Sequence, residues 1–161
     1  MNLADKVGQM LMVGFYGLEA PQYILDWLKE GKVGGIILFA RNIESPQQVA
    51  DLCASLHQVA KYPILISIDQ EGGAVSRLRD GFSQSPGAMA LSATDDETLA
   101  EQVAQVLGEE MATLGINWTY APAVDITYNK DNPTVGVRSF GTDKETVSQF
   151  SSAAVRGFQA G

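Results

Sequence analysis

A chain of 161 residues that is 45% hydrophobic and 19% charged has the make-up of a soluble globular protein, and disorder, which pairs low hydrophobicity with high net charge, is excluded. No apolar stretch nears the roughly 20 residues that a bilayer span needs, and the length suits one domain. A net charge of -8, from 11 basic and 19 acidic residues, argues against nucleic acid, because phosphates call for clustered Lys and Arg.

Met10 to Phe15 (MLMVGF) reads as a first strand, a continuous apolar run. Ile24, Leu25 and Leu28 mark a short helix that stops at Gly31. Gly34 to Phe39 (GGIILF) is the second strand. Ser45 is placed to cap a helix opened by Pro46, with an apolar stripe of Val49, Leu52, Cys53, Leu56 and Ala60. Ile64 to Asp69 (ILISID) is the third strand. Thr94-Asp95-Asp96-Glu97 has the form of a capping box, ahead of a helix carrying Leu99, Val103, Val106, Leu107, Met111 and Leu114 and stopped by Gly115. Ile116 to Ala121 (INWTYA) is a weaker fourth strand. Thr142-Asp143-Lys144-Glu145 repeats the helix-start signal before Val147, Phe150, Ala154 and Phe158.

The order βαβαβαβα predicts an α/β fold with a parallel sheet and right-handed crossovers. A doubly wound sheet and a (β/α)8 TIM barrel both fit it. A whole barrel takes roughly 250 residues, so in the barrel reading residues 1–161 are its N-terminal half, about four βα units. The last helix then ends where a fifth strand is due. No glycine-rich phosphate turn follows the first strand, which weighs against the doubly wound alternative.

A single cysteine, Cys53, forms no internal disulfide, and one His with one Cys leaves no structural zinc site. The start, Met1-Asn2-Leu3-Ala4-Asp5-Lys6, lacks a basic segment followed by an apolar core, so the cytoplasm is the expected compartment. His57 falls on the second helix, away from any strand end, and is read as non-catalytic. Cys53 is read as core, and Trp27 and Trp118 as packing residues rather than sugar platforms.

In α/β folds ligands bind beyond the C-terminal ends of the strands, and three polar loops sit in such positions. After the third strand comes Asp69-Gln70-Glu71-Gly72-Gly73-Ala74-Val75-Ser76-Arg77. Two carboxylates and an amide close the strand there, and the glycines allow either a sharp turn or close approach of a ligand. Asp69 and Arg77 suit vicinal hydroxyls, one accepting hydrogen bonds and the other donating them; they equally suit each other as an ion pair. The second loop, Asp125 to Gly141, is too long for a plain connector. Its Arg138 is oriented either toward a ligand or onto carbonyls of its own loop. In the third, Ala40-Arg41-Asn42-Ile43, Arg41 is read as a surface residue.

Several of these stretches together resemble glycoside hydrolase family 3. They are Val7-Gly8-Gln9-Met10 with Met12-Val13-Gly14-Phe15, Gly35-Ile36-Ile37-Leu38-Phe39, and Ile68-Asp69-Gln70-Glu71-Gly72-Gly73 with Arg77. Tyr120-Ala121-Pro122-Ala123-Val124-Asp125 and the run from Asn132 to Gly141 complete the match. The Asp-Gln-Glu-Gly-Gly form is similar to the β-N-acetylhexosaminidase branch, of the cell-wall-recycling type.

The resemblance implies a (β/α)8 barrel that removes terminal β-linked N-acetylglucosamine with retention, needs no cofactor, and takes a carbohydrate conjugate as substrate. It also implies that Asp69 and Arg77 hold sugar hydroxyls and that Arg138 contacts the sugar. The branch's Lys-His-Phe-Pro-Gly-His-Gly segment, its Asp-Ser-His acid/base run and its aspartate nucleophile have no match in residues 1–161. The expectation is therefore the N-terminal half of a hexosaminidase, inactive by itself, with no catalytic residue of its own. A non-catalytic half-barrel that binds carbohydrate or protein is the alternative. Either way, unpaired edges on strands one and four lead us to expect self-association.

Overall fold

The computed structural model describes residues 1–129 and 131–161; Lys130, inside the long loop before the last helix, lies outside them. In chain order the elements are α1 (Leu3–Gly8), β1 (Met12–Val13), α2 (Gln22–Glu30), β2 (Gly35–Leu38), α3 (Pro46–Val59), β3 (Leu65–Ile68), β4 (Gln70–Gly72), β5 (Val75–Ser76), α4 (Ala88–Ser92), α5 (Glu97–Thr113), β6 (Trp118–Thr119) and α6 (Lys144–Ala160). Short 3-10 turns occupy Ala40–Asn42 and Gly136–Arg138. Although the length suits one domain, the contacts group into two compact units, Met1–Ile68 with Met111–Thr119 and Asp69–Glu110 with Tyr120–Gly161.

In the first unit all four apolar runs become strands, in one parallel sheet ordered β1-β2-β3-β6. Each strand is shorter than its run. The central pair β2 and β3 keep register from Gly35↔Leu65 to Leu38↔Ile68. The outer strands, with a partner on one side, hold only Met12–Val13 and Trp118–Thr119. Ile36, Leu38, Ile66 and Ile68 are buried, together with Ile24 and Leu28 of α2 and Val49, Leu52, Cys53 and Leu56 of α3. Ala60, read as part of that stripe, lies just past the helix at its C-cap.

The start and stop signals of these helices work as read. Ser45 Oγ accepts from Gln48 N at 3.2 Å, and Gly31 ends α2 in the left-handed region at φ 73°. Burial pushes the Cys53 thiol up to about 12. His57 is exposed and its ring nitrogen lies 2.9 Å from the Gly115 carbonyl oxygen, a local contact within this unit. Arg41 is exposed as expected, with Nε donating to Phe15 O at 2.9 Å and the guanidinium over the Tyr16 and Phe39 rings. Trp27 packs edge-to-face on Tyr23, with ring centroids 5.2 Å apart, and both tryptophans are partly covered, Trp27 being 38% and Trp118 46% exposed.

The second unit is built on α5 and α6. Its core joins Leu91, Ala100, Ala104, Phe140, Val147, Phe150 and Ala154, with the Phe140 and Phe150 rings stacked at 5.8 Å. The buried face of α5 runs through Ala100, Ala104, Leu107 and Met111, whereas Val106, expected inside, is 44% exposed. α6 approaches this helix closely. A Cβ on Gly157 would stand 2.1 Å from Glu101 O and 2.8 Å from the Ala104 Cβ, so only small residues fit at that crossing. The caps also sit one or two residues later than read. Asp96, not Thr94, accepts from Thr98 N and Leu99 N at 3.0 and 3.2 Å; Asp143, not Thr142, accepts from Thr146 N at 2.9 Å. Among the described residues no helix is long and apolar enough to cross a membrane.

Candidate functional site

Asp69, Arg77 and Arg138 all belong to the second unit. Asp69 is the residue after β3, and the chain continues into a hairpin, β4 antiparallel to β5, where the sequence reading placed a loop. Gln70 ties that hairpin together. Its side chain is 1% exposed; Oε1 accepts from Arg77 N at 2.9 Å and Leu78 N at 3.0 Å. Its Nε2 donates to Ser76 Oγ at 3.0 Å and Leu78 O at 3.3 Å. A buried amide needs such partners on both of its ends, and here they fix the backbone that carries Arg77.

The ladder pairs Gln70 with Ser76 and Gly72 with Val75, so Glu71 is the extra residue of a bulge. Bulges bend a strand and re-aim a side chain. Beyond it, Gly72 and Gly73 adopt φ of 86° and 55°, and a Cβ on Gly72 would meet Ser85 Oγ at 2.6 Å. The close approach that these glycines allow is made by the chain itself, with Gly73 N donating to Ser85 O at 2.9 Å.

Arg77 and Asp69 form the ion pair weighed above, Nη2 to Oδ2 at 3.0 Å. Their side chains stay 29% and 25% exposed, and the Arg77 Nε is buried without a hydrogen-bond partner. One donor of the guanidinium is engaged and one carboxylate oxygen receives it. Further donors and lone pairs of both groups remain for a ligand.

Arg138 closes the long loop. Ser139, fully buried, lies 2.5 Å from Asp125 O and 2.9 Å from Gly141 O and accepts from Gly141 N at 3.1 Å. Thr127 N donates to Gly141 O at 2.9 Å, so both ends of the loop are fastened beside Arg138. Its Nε and Nη2 donate to the two oxygens of Glu71 at 2.9 and 2.6 Å, and Nη1 donates to Thr134 O at 2.9 Å. The own-loop carbonyl bond expected as the alternative is therefore present, beside a carboxylate that sequence reasoning did not pair with it. Hydrogen bonding to Glu71 raises the Arg138 pKa against the lowering effect of burial, and the charges of Glu71, Asp69 and Asp125 add to the rise.

A cavity of about 40 Å³ lies behind the pair, reached by Glu71, Gly73, Ser85, Gly87 and Arg138. Ligand sites run from roughly 300 Å³ upward, so a sugar ring does not fit it. Among the described residues no group of His, Cys, Asp and Glu could hold a metal ion. The arrangement offers paired acceptors and donors for hydroxyl groups.

The glycosyl hydrolase family 3 N-terminal domain model matches residues 2–161. A β-hexosaminidase of Stenotrophomonas maltophilia is 41% identical over 157 residues, covering 94% of this chain and 46% of the relative. A family 3 β-N-acetylglucosaminidase from Paenibacillus superposes with a TM-score of 0.96 at 49% identity, covering 99% of this chain and 31% of that one. NagZ from Neisseria gonorrhoeae, solved with N-trifluoroacetyl-D-glucosamine, gives 0.88 at 28% identity, covering 93% and 46%. The chain spans about half the length of the curated relatives it matches. By fold, sequence and near-complete coverage, the chain belongs to glycoside hydrolase family 3 and matches its N-terminal domain.

Proposed function

We propose that the whole protein removes terminal, non-reducing β-linked N-acetylglucosamine with retention of configuration. In this reading residues 1–161 are the N-terminal half of a (β/α)8 domain. They supply the sugar-binding residues Asp69, Arg77 and Arg138, and the nucleophile and acid/base come from the other half. The observation that carries the reading is the juxtaposition of two carboxylate–guanidinium pairs, Asp69–Arg77 flanking the β4–β5 hairpin and Glu71–Arg138 joining that hairpin to the long loop. It is supported by relatives named β-hexosaminidase and β-N-acetylglucosaminidase.

The chemistry follows from hydrogen-bonding capacity. An Asp69 carboxylate already held by one Arg77 donor still accepts from sugar hydroxyls, and both arginines retain N–H groups for ring or acetamido oxygens. Retaining hydrolysis then needs a nucleophile on one face of the anomeric carbon and a proton donor at the leaving oxygen. Asp69 and Glu71 are each engaged by an arginine, a state suited to holding hydroxyls. The cell-wall-recycling form of the Asp-Gln-Glu-Gly-Gly segment supports muropeptides as substrates and a cytoplasmic site of action. The two outer strands, β1 and β6, pair on one side only, and so the 161-residue chain by itself self-associates.

The test compares hydrolysis of an aryl N-acetyl-β-D-glucosaminide by the protein expressed from its full reading frame and by residues 1–161. Turnover by the first and none by the second is the expected result. Turnover by residues 1–161 would overturn the division of labour, and binding of N-acetylglucosamine without turnover by the full protein would favour a non-catalytic module.

A further inference from the structure

We infer that Glu71 is a positioning residue, which sets the plane of the Arg138 guanidinium for uncharged sugar oxygens and cancels the charge that would otherwise attract anions. The inference rests on the sugar-binding reading above and deepens it. Three observations meet at this residue. Glu71 is the extra residue of the β4 bulge, a backbone irregularity that re-aims its side chain. Its side chain is 8% exposed, while that of Arg138 is 35% exposed, so the acid forms the inner wall and the arginine faces outward. Both Glu71 oxygens are taken, by Nε and Nη2 at 2.9 and 2.6 Å.

A bidentate carboxylate fixes a guanidinium in one plane. Of the five N–H donors of Arg138, Glu71 takes one from Nε and one from Nη2, and Thr134 O takes one from Nη1. One donor on Nη1 and one on Nη2 are left. An arginine ordered before binding loses little side-chain entropy when a hydroxyl or acetamido oxygen arrives. The charge balance points the same way. Glu71, Asp69 and Asp125 all act on Arg138, so the donors stand in a neutral to acidic setting that favours a polyol over a phosphate or a sugar acid.

The experiment titrates the full-reading-frame protein with N-acetylglucosamine and, separately, with inorganic phosphate. The variants are Glu71→Gln, Arg138→Met, their double mutant, and Glu101→Gln as a control from the exposed Glu101–Arg156 pair. Glu71→Gln is expected to weaken N-acetylglucosamine about ten-fold or more, because small misplacements of a positioned group are that costly. It is also expected to gain phosphate binding that Arg138→Met abolishes. The double mutant should bind the sugar no worse than Arg138→Met does. Glu71→Asp, which keeps the charge on a shorter arm, should fall between the wild type and Glu71→Gln, and decides the matter if the glutamine variant does not fold. Additive losses in the double mutant, or an unchanged sugar affinity in Glu71→Gln, would overturn the inference while leaving Arg138 as a sugar ligand. An unchanged affinity in Arg138→Met would instead overturn the sugar-site reading itself.

Discussion

The Gln70 side-chain oxygen accepts from the backbone N–H of Arg77 at 2.9 Å and from that of Leu78 at 3.0 Å. One buried amide thereby holds the backbone just past β5 that carries Arg77, next to the acid that pairs with it. Replacing Gln70 by Ala would leave these donors without a partner in a region closed to water. The expected cost is about 2–4 kcal/mol, since each unsatisfied buried group costs roughly 1–3 kcal/mol. Urea denaturation measures it, and a loss below 1 kcal/mol would show that the hairpin holds without the amide.

A second outcome concerns the crossing of α5 and α6. Gly157→Ala drives a methyl group onto the Glu101 carbonyl, 2.1 Å from the Cβ position. Backbone must move to admit it, and overpacking of this kind costs about 1–3 kcal/mol. Thermal unfolding of the variant, whose added methyl group meets Glu101, Ala104 and Gln105, should start earlier while sugar affinity stays at the wild-type level. An unchanged unfolding midpoint would contradict the tight crossing.

The third outcome is a pH dependence in the first unit. Asp5 accepts from Lys61 Nζ at 3.0 Å and from Tyr62 Oη at 2.9 Å, and the Lys61 bond holds its carboxyl below the ordinary value of 3.8. A depressed carboxylate contributes stability that is complete above 3.8 and is lost as the pH falls through the folded-state value. The same bond raises Lys61 above 10.5, so that contribution is complete below 10.5 and fades as the pH climbs through the raised value. Asp5→Asn should therefore flatten both limbs of the stability profile. Equal acid sensitivity in the variant and the wild type would contradict this.

Much of the parallel sheet is legible in the residues themselves, because β2 and β3 are apolar runs covered from both sides. Their neighbours β1 and β6 come out shorter than the runs that mark them, since an edge strand has a ladder on one side only and apolar content does not record which strand is an edge. The caps of α5 and α6 lie within Thr-Asp stretches, where adjacent side chains compete for the same N–H groups and the residue type alone does not mark the cap. The β4–β5 hairpin is not legible in the sequence because Gln70, Glu71 and Ser76 are polar and give no strand periodicity; the bulge at Glu71 breaks the alternation further. Asp69, Arg77 and Arg138 stood out by residue type and context. Glu71 was in the same motif, but its partner lies 67 positions away, and only the folded loop joins them.

The most direct test of the account titrates N-acetylglucosamine into the protein expressed from its full reading frame, comparing Asp69→Asn and Arg77→Met with Glu101→Gln. Hydrogen bonds to charged groups contribute about 1.5–3 kcal/mol, so each of the first two variants should lose at least about ten-fold in affinity, and the control should lose nothing. Wild-type affinity in folded Asp69→Asn and Arg77→Met would contradict the assignment of this site to the sugar.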